Sequence, residues 1–216
     1  MQSRLEGSES TTVTVGSQDA ATTLHLPKAL LIHKSPFFAA ALNGPFAEAK
    51  LNSVVMLDDD PNVFRLWVEW LFVGQITCTF EHINNVLVEA WILGDKLGCH
   101  IFQNVVMIEL LKSHSPDRKA RLLEPSTLRA AYEGSAPGSK LRKWALDSFL
   151  FETRDTKYGS ASTLQRNISW VSEIKDIEDF SQEYMEACVG CSLESGPANP
   201  WLDSTQYMEI LDSTAR

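Results

Sequence analysis

Long hydrophobic runs are what this sequence most lacks. Its longest mainly apolar stretch, Val63 to Ile76, is broken by Arg65, Glu69 and Gln75, and it falls short of the roughly 20 apolar residues that span a bilayer. The first residues carry Arg4, Glu6 and Glu9 with no apolar run behind them, so neither a membrane span nor a cleaved secretion signal is expected. Cysteine is also scarce, with only Cys78, Cys99, Cys188 and Cys191. Without a secretion signal these read as free thiols of a reducing compartment, the cytoplasm or nucleus. Cys188 and Cys191 form a lone CxxC. Zinc needs two further ligands at matching spacing, and the nearest histidine, His114, lies over seventy residues upstream. A redox CxxC usually opens a helix after a strand, whereas this one follows an acidic helical pattern. Incidental thiols are the plainer reading, a metal or redox protein the remote alternative, and no cofactor or metal is expected.

Other absences narrow the function. There is no glycine-rich phosphate loop, no HExxH pair and no nucleophile elbow, so the sequence reads as no enzyme. Basic clusters are missing as well. The net charge is −9, and residues 171–216 hold ten acidic side chains against two basic ones, while the rest of the chain is nearly neutral. Neither part offers the Lys/Arg face that direct nucleic-acid binding requires.

What is present is enough apolar residue for a core, 44% of 216 positions. Thr12–Val15 alternates β-branched residues and stops at Gly16, and Thr22–Leu26 follows, which predicts a hairpin. Pro27 suits the first turn of a helix running to about His33. Ser35-Pro36 caps a second helix, ended by Asn43-Gly44-Pro45. Val54–Leu57 is a four-residue apolar run and predicts a short buried strand. Asp60-Pro61 opens a helix with Val63, Trp67, Trp70 and Leu71 on one face, stopped at Gly74. Of Asp58, Asp59 and Asp60, one is expected to cap that helix and the others to complement its dipole. Helical spacing returns from Ile83 to Leu97 and from Ile101 to about Lys112. Phe64, Trp67, Trp70 and Leu97 are the expected core. Beyond Ser115-Pro116 come short helices after Pro125-Ser126 and from Ser139, a polar loop over Thr153–Thr163, and an acidic helix over Val171–Val189. From Gly190 the composition is that of a linker, and Trp201–Leu211 either adds one short apolar contact or stays mobile.

The order of these elements and three local patterns resemble the BTB/POZ domain. In residues 24–38, LHLPKALLIHKSPFF, the positions Leu24, Lys28, Leu31, Ser35 and Phe38 match, and Pro27 stands where the family usually has histidine. Val68–Ile76 is similar to the family's helix that ends in an aromatic, a small residue and glycine. Ala90–Leu97 is similar to its Leu-Ala-Asp-Lys-Leu helix. The likeness covers Thr12 to Ser113, and Tyr132-Glu133 with Gly138–Lys143 resembles the extension of stand-alone fungal BTB proteins. It implies an α+β fold: a short three-stranded sheet capped by about five helices, then a helical C-terminal extension. The division expected is a flexible N-terminus over 1–10, the BTB/POZ-like domain over 11–114, the extension over 115–189 and a flexible tail over 190–216.

By the same resemblance the chain is a protein–protein interaction module. A homodimer is implied, with Leu26, Leu30 and Leu31 on a self-association face and Val13 and Val15 on an exchangeable strand. Many family members hold cullin-3 as substrate adaptors of a ubiquitin ligase, and the matching surface here comprises Glu69, Phe72, Val73, Phe80 and His82. Lys28 and His33 are candidates for solvent or partner contacts. The alternative is a transcription-linked or other scaffold protein that engages a basic partner through its acidic tail.

Overall fold

Strict alternation builds the first strands. In the computed structural model, which describes residues 9–17, 20–77, 83–113, 123–154, 170–190, 200 and 202–211, β1 (Ser10–Val15) turns Thr11, Val13 and Val15 inward and Thr12 and Thr14 outward. It pairs antiparallel with β2 (Thr22–Pro27) and parallel with β3 (Ser53–Met56), so the order is β2-β1-β3 with β1 central. The run Val54–Leu57, expected to be buried throughout, is an edge strand with one covered face. Val54 and Met56 are buried, while Val55 and Leu57 are each 57% exposed. An edge strand covered on one side follows the pleat's period of two, whatever its hydrophobicity.

Helix α1 (Lys28–Lys34) starts one residue later than expected, because Pro27 closes β2 and occupies the N-cap position. Ser35 caps α2 (Pro36–Asn43), its hydroxyl accepting from the Phe38 N–H at 3.3 Å and donating to the Leu97 carbonyl at 2.7 Å. The five-residue α3 (Ala47–Leu51), which no sequence signal announced, ends at Asn52 in the left-handed region with φ 49°. Asparagine tolerates that conformation. Its amide donates to the Ser10 carbonyl at 2.8 Å and accepts from Thr11 Oγ1 at 2.9 Å, which ties the turn before β3 to β1. Asp60 caps α4 (Pro61–Val73) by accepting from the Asn62 and Val63 N–H groups, and Gly74, at φ 78°, ends it. Asp59 is instead paired with Lys96 at 2.7 Å. Helices α5 (Ile83–Lys96) and α6 (His100–Ser113) follow.

The chain forms two compact units, residues 1–78 with 93–103 and residues 79–92 with 104–216. In the first, Phe38 stacks on Trp67 at 5.5 Å, Phe64 lies 5.3 Å from Trp67, and Trp70 meets Phe102 at 5.3 Å. All five rings are buried, as is Leu97. At about 25 cal/mol per Å² of apolar surface, rings of this size dominate the stability of a core.

The second unit contains α7 (Pro125–Gly134), α8 (Lys140–Arg154), α9 (170–174), α10 (Phe180–Gly190) and a 3₁₀ turn at Ser204–Tyr207. The acidic stretch Val171–Val189, expected as one helix, is two, broken over residues 175–179 with Asp179 at φ 64°. The break lets the Asp179 carboxylate meet Arg142 at 3.0 Å. Arg142 is buried, and it also donates to the carbonyls of Tyr132 (2.7 Å) and Ser135 (3.0 Å) at the C-terminal end of α7. Phe149 packs against Trp170 at 5.6 Å and Phe180 at 5.4 Å. Among the described residues no helix is long and apolar enough to cross a membrane.

Candidate interaction surfaces

An interaction surface needs side chains that the chain's own core has not taken. The α4 stripe buries Val63, Phe64, Leu66, Trp67, Trp70 and Leu71. Phe72 points away from that stripe, and Val73, seven residues after Leu66, continues its edge into the last turn; they are 53% and 68% exposed. Successive helical residues diverge by about 100°, so the two side chains present a broad apolar end to the helix. The backbone beyond it is held by Glu69, whose carboxylate accepts from the Thr77 N–H at 3.1 Å. Glu69 thus positions the segment after α4. Phe80 and His82 lie outside the described residues.

The residues expected on the self-association face fare differently. Val13, Val15, Leu26 and Leu31 are all buried within the chain's own core, and of the five only Leu30 keeps accessible surface. Val13 and Val15 sit on the central strand, bonded on both sides, so passing β1 to another protomer requires breaking both ladders. Lys28 pairs with Glu9 at 3.4 Å, and His33 is exposed.

A second apolar surface lies where the pattern pointed inward. Phe46, Leu51, Val55 and Leu57 are all more than half exposed on α3, β3 and their flanks. The exposure of Val55 and Leu57 was not legible in a run that is apolar at all four positions, and follows from β3 being an edge strand with one covered face. On α10, Met185 and Val189 are exposed at 62% and 84%, four residues apart beside Glu186.

Among the described residues no cluster of histidine, cysteine and carboxylate side chains is arranged to hold a metal ion. Cys188 is a half-buried free thiol, and Cys191 lies outside the described residues. Cys99 is buried and donates to the Lys34 carbonyl at 3.0 Å. Burial pushes its thiol above the ordinary value, against the lowering effect of contacts with Trp67 and Ser35. It is a structural thiol in the turn before α6.

Residues 1–97 match the family model of the BTB/POZ domain. No curated protein matches the chain.

Proposed function

The chain carries a BTB/POZ domain, and on that premise we propose that it is a homodimerising adaptor whose exposed α4 end holds cullin-3. A BTB/POZ domain is a protein–protein interaction module. We take residues 11–114 as the domain and residues 115–189 as the extension that would carry the second partner. The observation that carries the finer reading is the apolar pair Phe72 and Val73, left exposed at the end of a helix whose apolar stripe is buried. Large exposed apolar side chains beside a fixed backbone suit docking of another protein. Leu30 is the accessible residue for a contact between protomers. The free thiols Cys99 and Cys188 fit a reducing compartment, cytoplasmic or nuclear.

The test is a pull-down with purified cullin-3 and light scattering behind size exclusion. Retention of cullin-3 by the wild-type chain, lost in Phe72→Ala/Val73→Ala at unchanged melting temperature, supports the adaptor. No retention at about ten micromolar removes it. A monomeric mass at that concentration removes the homodimer.

A second reading is favoured by α10, where Met185, Glu186 and Val189 form an exposed apolar and acidic face. It is a scaffold that engages a basic partner through the acidic C-terminal region. Deleting residues 171–216 is the wrong probe, because Ile174, Ile177 and Phe180 belong to the core. Met185→Ser/Val189→Ser leaves the fold alone, and unchanged capture of a basic partner by that variant would exclude this face.

A further inference from the structure

Residues 202–211 are attached in a manner unlike core packing. Leu202, Ile210 and Leu211 are 84%, 87% and 51% exposed, whereas Tyr207 is wholly buried. The segment's main chain is gripped instead. Asn104 accepts from the Glu209 N–H at 2.6 Å and donates to the Glu209 carbonyl at 3.1 Å, holding both polar groups of one residue as a neighbouring strand would. Lys140 donates to the Gln206 carbonyl at 3.0 Å. One contact reads a side chain. The Tyr207 hydroxyl donates to Asp147 at 2.9 Å, and Lys143, paired with the same carboxylate at 2.8 Å, lies 5.6 Å from the ring centre.

A main chain held by fixed polar side chains, with one residue in a pocket, is how folded surfaces recognise short peptide segments, here one that makes a 3₁₀ turn over Ser204–Tyr207. The four gripping side chains all stand on α6 and α8. The sequence that leads to the segment, CSLESGPAN at 191–199, has the composition of a linker.

We propose that Asn104, Lys140, Lys143 and Asp147 form a binding site for a tyrosine-bearing linear peptide of a partner protein, kept closed by the chain's own residues 202–211. Asp147 requires a hydroxyl donor, which selects tyrosine over phenylalanine. It also refuses a phosphorylated tyrosine, whose charge would face the carboxylate. The resident segment belongs to the same chain, so a free peptide competes only when that segment is weakened or engaged elsewhere. The proposal stands apart from the surface on α4, and its test does not involve cullin-3.

The probe is a fluorescent peptide of residues 202–211, titrated into the full chain and into its Tyr207→Ala variant. Binding at least tenfold tighter to the variant is expected, and adding Asn104→Ala should cancel the gain. Peptides with phenylalanine or phosphotyrosine at 207 should bind at least tenfold more weakly. No peptide binding by a Tyr207→Ala chain that melts cooperatively overturns the proposal. Should that variant not fold, a protease site placed within 195–198 and cut after folding allows the same peptide to compete on otherwise native protein. Exchange of the cut segment for labelled peptide, read by native mass spectrometry, supports the site, and its retention against a hundredfold excess overturns it.

Discussion

Ser35 and Leu97, 62 positions apart, are joined by a 2.7 Å hydrogen bond from the serine hydroxyl to the leucine carbonyl. The same hydroxyl caps α2, so one buried oxygen serves a local and a long-range purpose. Ser35→Ala removes a cap, at about 1 kcal/mol, and takes from the Leu97 carbonyl its shortest hydrogen bond, leaving the Phe37 N–H at 3.5 Å. A loss of about 1–2 kcal/mol in urea denaturation is expected. A loss under about 0.5 kcal/mol would mean that the Phe37 N–H takes over the Leu97 carbonyl.

Arg142 gathers the end of α7 and the start of α10 around one buried charge. Arg142→Met leaves two carbonyls and the Asp179 carboxylate without their donor. The expected cost is about 2–4 kcal/mol, from the carbonyls left unbonded, with hydrogen exchange rising across residues 170–190. Protection there that matches wild type would contradict the role given to this side chain.

High pH should destabilise the second unit through two phenols. Burial, then the hydrogen bond to Glu183, pushes the Tyr132 hydroxyl above the usual 10.0. Burial and then Asp147 do the same for Tyr207. Each phenol therefore stays neutral in the folded chain at a pH where the unfolded chain has ionised it. Their contribution is complete below pH 10 and is lost as pH rises beyond it, by about 1.4 kcal/mol per unit for each tyrosine. Unfolding free energies on either side of pH 10 measure the slope, and Tyr132→Phe should remove about half of it.

Thiol reactivity should separate the described cysteines. Cys99 is buried with a raised pKa, whereas Cys188 is half-buried on α10. Alkylation followed by peptide mapping should find Cys188 labelled at least tenfold faster. Equal rates would show the turn before α6 opening readily.

How much of this was legible depended on the range of each signal. Ser35, Asp60 and Gly74 were readable because caps and stops act within three residues. The spacing of Val63, Trp67, Trp70 and Leu71 marked the buried face of α4, whereas Phe72 and Val73 were placed on the surface only through the family resemblance. Apolar character could not distinguish a chain's own core from a partner's, so Val13, Val15, Leu26 and Leu31 were readable as buried but not against what. The edge position of β3 depends on sheet order, which no local pattern encodes. The α9–α10 break depends on Arg142, 37 positions from Asp179, and the burial of Tyr207 depends on Asp147, 60 positions away. The match over residues 1–97 bears out the BTB/POZ resemblance for that part of the chain.

The central position of β1 also fixes an order of events in time. Its ladder with β2 closes across a six-residue connection, Gly16–Ala21, while its ladder with β3 must wait for residues 53–56. Pairing between distant segments is the slower step. A chain growing from the ribosome therefore passes through an interval with a two-stranded ribbon, of a kind only marginally stable by itself, and with the side carrying Val13, Val15 and Leu26 uncovered. During that interval the nascent chain is most prone to aggregate, and slowing translation before residues 53–56 have emerged would lengthen it.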